Sequence, residues 1–332
     1  ADSLRFTLIS MAAPGRDVKL SEDRLKGYRN FLNKIWNSNK FLQLNKCKHS
    51  NKLNFKKIKL DINKWIYFEL VKTNDSAQKH IKNFRFDEAA KVIYQFVWHS
   101  YCDWYIEFLK PIFDSSEKTN LDEVRAFASY IQSNIIIMLH PFIPFFTEKI
   151  WLELKNNINF KSPLMFKNWE ASTIPNQGFK KNYNKIHWLI ELISNIRSTK
   201  VDLEVSPGSF IDISTESLKS ETKNIINDNL NVFKRLARVS KVHKSKLNMN
   251  SVNIISGTET ITLYFNTDIN LLDQKIKITN KVKNLDIKVN GLNKKLKNES
   301  FLKNAPKSII QKEKNYLINL NIELKKLNSI LN

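Results

Sequence analysis

Residues 21–44, S-E-D-R-L-K-G-Y-R-N-F-L-N-K-I-W-N-S-N-K-F-L-Q-L, decide how the rest of the chain is read. Ser21 stands where a helix N-cap belongs, and Glu22 and Asp23 place negative charge in the first turn, where the helix dipole favours it. Apolar residues recur at Leu25, Tyr28, Leu32, Ile35, Trp36 and Leu42, a helical and not a strand spacing. At about 100° per residue the opposite face carries Lys26, Asn30, Asn33, Asn37 and Lys40, with Arg29 and Lys34 at its margins and Phe41 on the same side. Amides and cations beside one ring suit hydrogen bonding to bases, phosphate neutralisation and stacking. They also suit a solvated helix face, which is the better reading of this helix taken alone; the rest of the chain changes the balance.

The composition narrows the classes. A chain of 332 residues with 42% apolar content and only 6 Gly and 8 Pro is folded and helix-rich, long enough for two or three domains. No apolar run reaches membrane-spanning length. The N-terminus shows no leader and no initiator Met, so the chain reads as part of a longer protein. Two cysteines, Cys47 and Cys102, cannot form a four-thiolate zinc site and suit a reducing cytosol. His99, Cys102 and Asp103 share a helix face but have no second ligand pair, so no metal is expected there. A net charge of +22 points to a polyanionic partner. Lysines (45) far outnumber arginines (9), the bias of an AT-rich genome, which accounts for part of that charge.

Outward from the opening helix, residues 47–60 form a polar connector. Asp61 is expected to cap a helix reaching about Asn83, and Asp87-Glu88 open an aromatic helix that Pro111 ends. A further helix covers about Leu121 to Leu139, followed by the His140–Pro144 joint and a helix from about Thr147. Residues 18–155 thus make an antiparallel bundle of four or five helices. A loop-rich passage with Pro163, Pro175 and Gly178 leads to a helix over 180–200. Strands at 210–213, 252–255 and 260–265 and a helix over 217–236 make a small α/β unit. Finally, Ile278, Val282, Leu285, Val289, Leu292 and Leu296 alternate spacings of four and three. Ile310, Leu317, Leu320, Leu324, Leu327 and Leu331 repeat the pattern, with Glu313 at one seam position. Two such helices joined closely predict an antiparallel coiled-coil hairpin with arms of roughly 40 Å. Residues 270–332 hold 14 Lys against 5 acidic residues. The fold class is therefore mainly α: a helical bundle, a small α/β connector and a coiled-coil arm.

Several strings resemble one family. A-D-S-L-R-F-T-L (1–8), P-G-R-D-V (14–18), Y-R-N-F-L-N-K-I-W-N (28–37), F-R-F-D-E-A-A (84–90), F-V-W-H-S-Y-C-D-W-Y-I-E (96–107), L-H-P-F-I-P-F-F-T-E-K-I-W (139–151), N-I-R-S-T-K (195–200) and L-K-N-E-S-F-L-K-N-A-P (296–306) occur in the order found in valyl-tRNA synthetases. The resemblance implies the end of a catalytic-core stem region (1–17), a helical anticodon-binding domain (18–178), a small α/β connector (179–267) and a coiled-coil tRNA-binding arm (268–332). It implies tRNA contacts by Arg197 and Lys200 at the end of the connector helix; position on the elements adds Arg29, Asn30, Asn33, Lys34, Asn37 and Phe41 in the bundle and Lys294, Lys295, Lys297 and Lys303 near the arm's turn.

The family joins valine to its tRNA with ATP and Mg and clears misacylated threonine in an editing domain. The H-I-G-H and K-M-S-K-S signatures of its catalytic core are absent, and Lys244-Ser245-Lys246 does not replace the second. No catalytic residue, cofactor or metal is therefore expected in this chain, which would act with N-terminal catalytic and editing domains. The expected partner is valine tRNA, the location cytoplasmic, the state monomeric. Two other readings stay open at this point. One is a helical, coiled-coil interaction protein that binds nucleic acid non-specifically. The other is the equivalent part of an isoleucyl or leucyl enzyme. Isoleucyl enzymes commonly end in a cysteine-ligated zinc module, and leucyl enzymes lack such a hairpin.

Overall fold

The computed structural model describes residues 1–12, 15, 17, 20–48, 58–114, 121–155, 162–169, 178–249, 251–265 and 271–331. Pro14, Pro175 and most of the 47–60 connector lie outside the described residues. The chain forms two compact units, Ala1–His187 and Trp188–Asn332.

The first unit is helical. It contains α1 (Asp2–Met11), α2 (Glu22–Leu44), α3 (Asp61–Lys82), α4 (Phe86–Gln95), a π-helical segment (Phe96–Tyr105), α5 (Ile106–Phe113), α6 (Leu121–Leu139), α7 (Pro144–Lys155) and the start of α8 (Gly178–Asp202). The apolar stripe of α2 is buried as its spacing requires, with Phe31 added to Leu32, Ile35 and Leu42. Phe6 of α1 lies 5.4 Å from Phe31 and 6.2 Å from Phe142, and Phe31 lies 4.8 Å from Tyr94, so aromatic rings join α1, α2 and α4 to the 140–144 joint. Asp2 accepts the Phe146 N–H at 2.6 Å, which places a carboxylate at the start of α7.

Several buried polar groups of this unit are paired in chains. Tyr105 donates its hydroxyl to Asn63 Oδ1 at 2.8 Å, and Asn63 donates its amide to Glu123 at 2.9 Å. Tyr101 donates to Gln132 at 2.5 Å, and Ser38 of α2 reaches the same oxygen at 3.5 Å. Glu123 also accepts the Lys59 and Leu60 N–H groups at 2.9 and 3.1 Å. A carboxylate on α6 therefore satisfies the orphan amides ahead of α3. Asp61, expected to cap that helix, makes no side-chain cap bond. It bonds Asn182 and lies 3.3 Å from Lys185 on α8 instead. Pro111, expected to end its helix, is buried inside α5, which runs on to Phe113. Its missing amide falls in the last turns, where little of the hydrogen-bond ladder remains to be lost. The break at Phe84–Phe86 is present, with Phe84 in the left-handed region at φ 56.

The second unit joins the rest of α8 to a four-stranded sheet and a helical hairpin. Its strands are β1 (Ile211–Ser214), β2 (Val239–His243), β3 (Ser251–Ser256) and β4 (Glu259–Phe265), ordered β2-β1-β4-β3. β1 pairs parallel with β2 and antiparallel with β4, with Ile213 opposite Leu263, and β3 pairs antiparallel with β4, with Ile254 opposite Ile261. The helix expected over 217–236 is two, α9 (Ser220–Asp228) and α10 (Leu230–Ala237), divided at Asn229. β2 was not expected, because V-S-K-V-H is an edge strand with two exposed residues in its first half and no apolar alternation. The hairpin is α11 (Leu271–Lys297), a short α12 (Glu299–Asn304) at its turn, and α13 (Lys307–Leu331), which also packs on β3. Ile278, Val282, Leu285 and Val289 are buried along the seam, with Leu320 and Leu327 from α13.

Lys200, 2% exposed, sits inside this unit. Its ammonium donates to the Ser209 and Ala237 carbonyls at 2.8 and 3.2 Å, tying the end of α8 to the approach to β1 and the end of α10. Burial, then the charges of Arg238 and Arg197, push its pKa down to about 8.

Lys200→Met leaves two carbonyls without their donor and is expected to cost about 1–3 kcal/mol by urea unfolding; an unchanged midpoint would show the carbonyls satisfied otherwise. At Gly291 an added Cβ meets nothing within 4 Å, so Gly291→Ala is expected to stabilise α11 by about 0.5–1 kcal/mol, read from the arm's thermal melt. Burial pushes the Cys47 and Cys102 thiols from 9.0 up to about 12. Such groups keep their proton when folded and lose it when unfolded, so their contribution to stability declines as pH rises above about 9. Lys200 acts with the opposite sign from about 8 upward. The urea midpoint of Cys47→Ala/Cys102→Ala should therefore fall less between about pH 8 and 10 than that of the native chain, and an equal fall would exclude the thiols from this linkage.

Candidate nucleic-acid interface

The N-terminal turn of α2 is built as its sequence requires. Ser21 accepts the Arg24 N–H at 3.3 Å, and the helix continues unbroken to Leu44. Since its apolar stripe is fixed in the bundle, the opposite stripe faces outward. Arg29, Asn30, Asn33 and Asn37 are exposed on it, and among the described residues none of these side chains has a hydrogen-bond or ionic partner. Leu44, 82% exposed, prolongs the stripe and had no signal in the helical pattern, since it falls on the polar side.

The remaining α2 candidates are engaged. Lys34 is half-buried; its ammonium bonds Asp103 and lies 4.0 Å above the Trp98 ring. Asp103 also pairs with His99 at 3.3 Å. Lys34 is thus a clamped cation, held by the π-helical segment and partly neutralised. His99, Asp103 and Trp98 are a flank of the α2 face that sequence reading missed. The i, i+4 spacing of His99 and Asp103 is visible in the sequence, but nothing local ties it to Lys34, 69 residues from Asp103. Phe41 is half-buried, 5.8 Å from Phe113, so its ring is braced from one side. Lys40 pairs with Glu153 at 3.0 Å and lies 4.9 Å from the Trp36 ring.

In the second unit, Arg197 is exposed and donates its Nε–H to the Leu236 carbonyl at 3.0 Å. Lys200, read as a surface contact, is buried. The α8 spacing that puts it one turn from Ile196 also puts it under β1 and α10, so an exposed phosphate contact is closed to it.

The arm distributes its charge unevenly. Near the base Lys277 pairs with Glu204 at 2.7 Å, Lys281 with Glu323 at 3.2 Å and Asp202 at 3.6 Å, and Lys326 with Asp202 at 2.5 Å. Towards the turn Lys294 and Lys297 are exposed and in no ion pair among the described residues. Lys295 is partly neutralised by Glu313 at 2.8 Å and lies 5.0 Å from the Phe301 ring. The seam glutamate thus faces a lysine across the hairpin. The side chain of Lys303 lies outside the described residues.

The family model described as the anticodon-binding domain of tRNA ligase matches residues 63–215. The chain is 43% identical over 330 residues to the valine–tRNA ligase of Pelagibacter ubique, covering 98% of this chain and 37% of the relative. It is 34% identical to that of Rhizobium meliloti (97% of this chain, 34% of the relative) and 33% identical to that of Agrobacterium fabrum (100% and 35%). The chain spans little more than a third of the length of these curated relatives. An anticodon-binding match that begins in α3 and runs through α8 to the end of β1, together with alignment along almost every residue, means that the chain corresponds to the C-terminal part of valine–tRNA ligases.

Proposed function

We propose that this chain holds the tRNA of a valine–tRNA ligase, with the chemistry performed by parts of the protein outside it. Valine, ATP and Mg are then handled by N-terminal catalytic and editing domains, in a monomeric cytoplasmic enzyme. Residues 1–17 close a stem region, 18–178 read the anticodon, 179–267 connect, and 268–332 form the arm along the tRNA body.

The observation that carries this reading is the outward stripe of α2. Arg29, Asn30, Asn33 and Asn37 project from one rigid helix without partners, beside a braced Phe41 and a clamped Lys34. Asn amides offer donor and acceptor to base edges, and the ring offers a face for a splayed base, which is how single-stranded loops are read. Lys294 and Lys297 add cations for phosphates without reading sequence. The non-specific alternative has the same arm, but it gives no reason for unpaired amides on a helix whose other half is fixed in a core. The isoleucyl and leucyl alternatives are not favoured by relatives that all bear the valine name.

The test is binding of the chain to valine tRNA and to a non-cognate tRNA across a salt series. Asn33→Ala is expected to weaken valine tRNA by about 1–3 kcal/mol and to shrink the ratio between the two tRNAs. Lys294→Gln/Lys297→Gln is expected to weaken both equally and lower the salt slope by about 2. Equal binding of both tRNAs by the native chain would sink the anticodon reading.

A further inference from the structure

The second unit contains a cleft that the α2 and arm surfaces do not involve. Its volume is about 280 Å³, and it lies beside edge strand β2. Lys223 and Asn227 enter it one turn apart on α9, and Leu230 and Lys234 one turn apart on α10. Thr215, Val242 and Lys244 close it from the ends of β1 and β2. Among the described residues no carboxylate lines it.

The nearby acids are occupied elsewhere. Asp212 accepts from His243 at 3.1 Å and from the Lys241 N–H at 3.1 Å. Glu216 turns its carboxylate to the Lys246 N–H at 3.1 Å, and only its carbonyl meets Lys223, at 3.3 Å. Among the described residues, none of Lys223, Lys234 and Lys244 is in an ion pair with a carboxylate, unlike the lysines at the base of the arm. Three unneutralised ammoniums at one concavity repel one another, and low-dielectric walls strengthen that field. The Leu230 and Val242 side chains supply such walls. An anion relieves the repulsion. Lysine is the point-charge ligand of phosphate, and the Asn227 amide adds a donor with a defined direction.

We propose that this cleft binds a phosphate group, supplied by the backbone of an RNA strand. The choice of RNA rests on the tRNA-holding role proposed above; the phosphate chemistry does not. The cleft adds a contact that is blind to base sequence and sensitive to salt.

The experiment has two arms, both on the full chain. In the first, tRNA affinity is measured across a salt series for the native chain and for Lys223→Gln/Lys234→Gln/Lys244→Gln. The variant is expected to bind roughly tenfold or more weakly at moderate salt, with a log–log slope shallower by about 2–3 and the same ratio of valine to non-cognate tRNA. The corresponding Lys→Arg triple variant keeps the charge and is expected to retain the native slope, which separates lost charge from lost folding. In the second arm, inorganic pyrophosphate is titrated while the amide resonances of Thr215, Lys223, Lys234 and Lys244 are followed. Saturable shifts that vanish in the Gln variant, with an unchanged tRNA slope, would keep the phosphate site and overturn its assignment to RNA. An unchanged slope without saturable shifts overturns the proposal altogether. If the native chain binds no tRNA, the tRNA-holding role fails, and the pyrophosphate arm still decides the cleft.

Discussion

The helical unit depends on the buried phenols of the π-helical segment. A hydroxyl taken out of water without a partner costs a few kcal/mol, so Tyr101 and Tyr105 fold inward only where partners wait. Asn63 and Gln132 are those partners, and each passes the constraint on, to Glu123 and the amides ahead of α3 in one case and towards Ser38 of α2 in the other. The segment therefore fixes α3 and α6 relative to itself in rotation as well as distance. Hydrophobic contact alone tolerates small rotations of a helix; a chain of hydrogen bonds does not. The outward stripe of α2 is held to the same segment by Lys34, whose ammonium bonds Asp103 and lies over the Trp98 ring.

That dependence explains what could be read from the sequence. Helices with a one-sided apolar stripe, such as α2 and the two arms of the hairpin, declare themselves, because burial of one face imposes a 3.6- or 3.5-residue period on the residues themselves. Features settled by distant partners leave no local trace. Asp61 carries every local sign of a cap, yet Glu123 reaches the orphan amides from α6 and Asp61 turns to α8. β2 has two valines and a solvent-facing middle, and becomes a strand because β1 supplies a parallel neighbour. The division between α9 and α10 at Asn229 is likewise invisible to a pattern that stays helical on both sides.

The candidate interface divides along the same line. The exposed amides of α2 were legible because an amphipathic helix assigns its two faces together. The state of each cation was not, since it depends on groups far along the chain: Asp103 for Lys34, Glu153 for Lys40, Glu313 for Lys295.

A net charge of +22 is a weak guide for this reason. Three lysines of the second unit show the range. Lys200 is buried against two carbonyls with its pKa lowered and holds the fold together. Lys281 is neutralised between Asp202 and Glu323 and braces the base of the arm. Lys294, of the same residue type, stands exposed without a carboxylate near the turn. Only the last kind exchanges counterions for phosphate at low cost, because it gives up no internal partner on binding. Affinity for a polyanion then scales with unpaired cations on one surface, whatever the total. The arm meets that condition near its turn, and the cleft of Lys223, Lys234 and Lys244 meets it again where no heptad or helical stripe marks the place.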